Sequence, residues 1–135
     1  MAIDHEIRPH EENPAESLEV LLQTATAELQ GDHWKIMRQD DRLEAPWHLV
    51  VHKGNRWRVI QLLPPSTSSA DRQARRRDLG ETVRLPTRLG TMEQWLAHMR
   101  PNGSITFGPY VLTAQAWSIV DSTEDEALAR LGLAA

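Results

Sequence analysis

Residues 33–63 of the 135-residue chain constrain its fold most; they read HWKIMRQDDRLEAPWHLVVHKGNRWRVIQLL. Three short runs rich in aromatic and β-branched residues are separated by polar segments, which predicts three strands at 34–38, 47–52 and 57–63. The second run, WHLVVH, is nearly continuous in apolar residues, as a strand covered on both faces should be. Lys53-Gly54-Asn55-Arg56 offers two residues that tolerate positive φ, so the second and third strands close as a hairpin. Pro64 and Pro65 end the third strand, because proline donates nothing to a ladder.

Helices are expected on either side. Asn13, Pro14 and Glu16 form an N-terminal signature, and Leu18, Leu21, Leu22, Ala25 and Leu29 recur at helical spacing up to Gly31. After Ser66 to Ser69, a second helix is expected over 70–79, closed by Gly80. Ala70, Ala74 and Leu79 would face its core, with Arg72, Arg75, Arg76 and Arg77 outward. Val83 and Leu85 alternate with Thr82 and Arg84, which predicts a fourth strand over 81–85. The fold class expected is therefore α/β: a central mixed four-strand sheet flanked by helices, in the order αβββαβ. Residues 1–12 read as a flexible tail and 13–135 as one domain, with a core at 13–86 and an extension at 87–135. Within the extension, Thr91 and Gln94 box a short helix through Met99, presenting Met92, Trp95 and Met99. Strands follow at 104–107 and 110–120 (the latter also readable as helix), joined at Gly108-Pro109. Ser122 or Thr123 then caps a final helix over 124–131.

Composition excludes some chemistry. There is no cysteine, hence no disulfide, thiolate metal site or cysteine nucleophile. No run is long and apolar enough to span a bilayer, and the acidic N-terminus is unlike a signal peptide, so no membrane partner and a cytoplasmic location are expected. The net charge is −4, yet it is unevenly spread. Seven acids against Arg8 alone lie in residues 1–30, while 53–100 hold ten bases against four acids. Such a local basic field suits a polyanion. No glycine-rich phosphate loop and no nucleophile elbow is present.

The order helix, strand, strand, strand, helix, strand over 13–85 resembles the core of the restriction-endonuclease-like, or PD-(D/E)xK, nucleases, the archaeal Holliday-junction resolvases among them. Pro46-Trp47-His48-Leu49-Val50 is similar to the segment where that family has proline, an aromatic, aspartate and two aliphatics. Arg58-Val59-Ile60-Gln61-Leu62-Leu63 is similar to the strand carrying its glutamate or glutamine and its lysine. The resemblance implies a carboxylate-held divalent cation that activates water, and a lysine that stabilises the developing charge. Here those positions hold His48, Gln61 and Leu63. An imidazole and an amide without a carboxylate make a poor magnesium site, so no catalytic residue, metal or cofactor is expected.

Three functions follow as expectations. The first is a non-catalytic nuclease-fold protein that binds DNA, or assists a repair or recombination complex, through Arg56, Arg72, Arg75, Arg76 and Arg84. The second is a protein–protein or homodimerisation module using Met92, Trp95 and Met99. The third is a metal-dependent nuclease whose acids have moved to Asp40, Asp41 or Glu44, with Glu28 as a further donor. His48 and His52 do not share a metal, since four residues of strand separate them by about 13 Å. Trp34, Trp47 and Trp57 are expected in the core, although Trp47 could instead line a surface groove.

Overall fold

The structure is a computed structural model and describes residues 13–112 and 123–133. The tail at 1–12, the expected Ser122 cap and the strand or helix expected beyond residue 112 lie outside the described residues. The first helix begins in two steps. Asn13 Oδ1 accepts from Ala15 N and caps a single 3-10 turn at Pro14–Glu16. Ser17 then caps α1, Leu18–Gly31. Leu21, Leu22, Ala25 and Leu29 bury one stripe of α1, as their spacing predicts. Gly31 is still helical, and His33 takes the left-handed position after it (φ 68°).

β1 (Lys35–Gln39), β2 (Leu49–Lys53) and β3 (Arg56–Leu63) form an antiparallel meander. α2 (Ser69–Val83), capped by Ser68, crosses over to β4 (Gly90–Met99), which pairs parallel to β3. β5 (Ile105–Leu112) returns antiparallel, completing a mixed five-stranded sheet in the order β1-β2-β3-β4-β5. A last helix, α3 (Glu124–Arg130), starts at a full capping box between Thr123 and Glu126. The fold is α/β with one strand more than expected.

Each face of the sheet has its own core. On one, α1 packs against Leu49, Val51, Ile60, Leu62, Trp95 and Ala97. On the other, Leu79 and Val83 of α2 and Ala127 of α3 meet Val50, Trp57, Val59 and Met92. α3 is also tied by polar contacts. Arg38 Nη1 donates to Leu131 O at 2.9 Å, and Arg130 donates to the terminal α2 carbonyls Val83 O and Arg84 O at 3.0 and 2.7 Å.

Several expectations are corrected. Residues 81–85 are not a strand. α2 runs through Gly80 to Val83, because Leu79 and Val83, four apart, both reach the core. Leu85 is buried from the loop that follows. The fourth strand is instead 90–99, where a helix was expected. Its burial is almost continuous, as a central strand covered on both faces requires, so it shows no alternation. Met92 and Trp95 are buried on opposite faces, and Met99 packs against the α1-side core, so they present no joint surface. Gly108-Pro109 does not break β5. β4 is the only paired neighbour of β5 among the described residues, and an edge position tolerates proline. Residues expected as an extension thus supply two strands of the one sheet.

Candidate nucleic-acid interface

A polar row crosses the sheet on the α2 face. β3 pairs with β4 at Gln61 and Gln94, and β4 with β5 at Gln94 and Tyr110. His48 precedes the Leu49–Ile60 pair and so falls opposite Gln61. Strand alternation sends Leu63 to the same face. His48, Gln61 and Leu63 are each 0% exposed, so the three positions share one buried surface beneath α2 and open onto no cleft.

The row is closed by hydrogen bonds. His48 Nδ1 accepts from Leu62 N at 2.9 Å, which leaves the proton on Nε2, donated to Arg42 O at 3.0 Å and Leu43 O at 3.3 Å. Burial, followed by the charge of Arg75, pushes the imidazole pKa down against the pull of those carbonyls. Gln61 donates to Pro46 O and Arg75 O at 3.0 and 2.9 Å, and accepts from Gln94 at 2.8 Å. Gln94 also donates to Arg72 O at 2.9 Å and accepts from Arg76 Nη2 at 3.3 Å. Two strand glutamines therefore pin two backbone carbonyls of α2. Every amide hydrogen is used, and the row contains no carboxylate.

That arrangement inverts the expected orientation of α2. Ala70 and Ala74 are exposed, while Arg72, Arg75 and Arg76 are half-buried on the side toward the sheet; only Arg77 of the four points outward as expected. Long aliphatic stems cover the polar row and carry the guanidinium groups to its rims. Arg75 Nη2 donates to Leu43 O and, at 3.1 Å, to Ala45 O, and burial lowers its pKa. Arg76 lies 3.8 Å above the Tyr110 ring centroid. The Nε atoms of Arg72, Arg75 and Arg76 are all buried and have no hydrogen-bond partner among the described residues. No carboxylate among the described residues forms an ion pair with any of the three.

The other two arginines of the expected set stand apart. Arg84 is the left-handed residue that ends α2 and donates to Glu81 O. It lies about 18 Å along the helix from Arg72 by rise per residue. Arg56 holds the loop before β4 through Thr87 O and Arg88 O. Gln94 and Tyr110 belong to the row but escaped the sequence reading, which had placed Gln94 in a helix and offered no register for Tyr110.

The relocated acids do not assemble. Asp40 is clamped by Arg42 at 2.7 Å, whose side-chain hydrogen bonds hold its pKa at about 2. Asp41 lines a shallow depression with Glu19, Gln23 and Gln39, and Glu28 and Glu44 are exposed. Among the described residues, no three His, Asp or Glu side chains come together as metal ligands. His52 stacks on Trp57 at 4.2 Å, and Trp47 is buried beneath Arg38 rather than lining a groove. The most buried ion pair among the described residues is on the opposite face. Glu93, 4% exposed, takes Arg58 through two bonds of 2.8 Å, with Trp95 Nε1 at 2.9 Å and Thr91 Oγ1 completing its shell. All its acceptor capacity is spent inside the fold.

Comparisons with protein-family models, with curated proteins and with solved structures give no match. No helix among the described residues is long and apolar enough to cross a membrane.

Proposed function

We propose that the chain binds nucleic-acid backbone through Arg72, Arg75 and Arg76 without cutting it. The observation that carries this reading is the cluster of three arginines on one face of α2, none of which forms an ion pair among the described residues. Phosphate oxygens match guanidinium geometry and charge. No carboxylate among the described residues forms an ion pair with the arginines, and Asp78, Glu44 and Asp71 act on Arg75 only through space.

Two further features support a non-catalytic nuclease-like scaffold. The order α1-β1-β2-β3-α2-β4 is the one the resemblance implies. His48, Gln61 and Leu63, which the resemblance aligns with the family's cation- and lysine-bearing positions, lie on one face of the sheet, Gln61 bonded to α2 at Arg75 O. They are buried and without negative charge. A scaffold of this kind would contribute to a repair or recombination complex by holding DNA, not by hydrolysing it.

Titration of labelled junction, duplex and single-stranded DNA at two salt concentrations tests the reading. Binding should weaken with salt at a slope of about −2 to −3 on logarithmic axes, for three phosphates. Magnesium should yield no cleavage product. Lack of binding to all three, or binding indifferent to salt, contradicts it.

A further inference from the structure

We infer that Tyr110, held by Arg76 at the open end of the polar row, is a stacking platform for an unpaired nucleobase. The site would then prefer single-stranded or looped nucleic acid to duplex. This rests on the arginine reading above and adds the class of strand. Tyr110 is 49% exposed, the only exposed tyrosine, phenylalanine or tryptophan among the described residues. Its position is fixed twice: β5 pairs it with Gln94, and Arg76 covers it with a guanidinium 3.8 Å from the ring centroid. Gln94 in turn accepts from Arg76 Nη2 at 3.3 Å. An aromatic ring so anchored keeps surface toward solvent without losing further rotamer freedom on binding.

The chemistry separates the two kinds of strand. Aromatic side chains bind single strands because every base has a π-face to offer, and the preference is tolerant of sequence. Bases within a duplex already spend those faces on their neighbours, and reaching a side chain requires unstacking. Arg76 lies over one face of the ring, so a base would take the opposite face, with the cation on hand for its flanking phosphate. Arg72 and Arg75 add positive charge on the same helix, Arg75 at the opposite rim beside Leu43 and Ala45. No side chain in the row is placed to read a groove.

Fluorescence anisotropy with a labelled oligothymidine and a labelled duplex, on the full chain, provides the test. Tyr110→Ala should weaken single-strand binding by about ten-fold or more while changing duplex binding by less than about two-fold. Tyr110→Phe, which keeps the ring, should restore single-strand affinity. Equal losses on both ligands, or a Tyr110→Phe variant as weak as Tyr110→Ala, overturn the inference and leave the arginine reading intact. Failure of the unaltered protein to bind either ligand overturns both. Circular dichroism of Tyr110→Ala, expected to match the unaltered chain because the ring is half-exposed, keeps a folding defect from imitating the loss.

Discussion

Gln61 occupies a buried place that a smaller hydrophobic side chain could fill at less risk, and its two donated hydrogens explain why an amide is there. Removing it strands Pro46 O, one α2 carbonyl contact and the Gln94 amide. Gln61→Met should therefore destabilise the protein by about 2–4 kcal/mol, measured by urea unfolding; a loss under 0.5 kcal/mol, on the same order-of-magnitude scale, would contradict the pinning. His48 makes a second prediction. Its folded pKa is depressed chiefly by burial, so the unfolded chain binds the proton more readily. Stability contributed by the neutral ring is full above the unfolded value, about 6.5, and is lost as pH falls below it. Thermal melts from pH 8 to pH 5 should show that decline, and His48→Asn should flatten it. Gly90 is a third case, where β4 meets β3 opposite Trp57. A Cβ there would overlap the Trp57 carbonyl, so Gly90→Ala should cost about 2 kcal/mol or more in the same urea assay.

Among the elements, α2 separates the sequence reading from the structure most sharply. Gly80 reads as a helix stop, yet it is helical and a Cβ added to it meets only Leu112 Cδ2 at an ordinary 3.7 Å. Gly80→Ala should accordingly stabilise the protein by about 0.5–1 kcal/mol. Were the helix to end there, the same change would destabilise. The inward arginines could not be read from the sequence, because polarity alone assigns them to solvent. Their orientation depends on Gln61 and Gln94 lying beneath them, and Gln94 stands in a strand that gave no alternating signal. Conversely, α1 was legible from its apolar spacing, and the hairpin from Gly54-Asn55 between two β-branched runs. β4 was hidden by its own centrality: a strand buried on both faces has no period to detect. Met92, Trp95 and Met99 happened to repeat at helical intervals.

Taken together, the sheet works as a divider. One face stores its charge internally, in Arg58–Glu93 between Trp34 and Trp95. The other carries three arginines that form no ion pair among the described residues, beside a neutral row of His48, Gln61, Gln94 and Tyr110. Positions 48, 61 and 63 stood out only through the resemblance, and their common face follows from the β2–β3 register. That these positions are closed over, and that α2 lies against Gln61 and Gln94, required the crossover from β3 through α2 to β4. The central claim is that the α2 guanidinium groups, which form no ion pair among the described residues, hold phosphate. Its most direct measurement is the salt dependence of single-strand binding by the unaltered chain and by Arg72→Gln, a side chain that makes no hydrogen bond or ion pair among the described residues. The account predicts a substitution that leaves folding intact, weakens binding and reduces the slope by about 0.7 for one lost phosphate contact. An unchanged slope and affinity would contradict it.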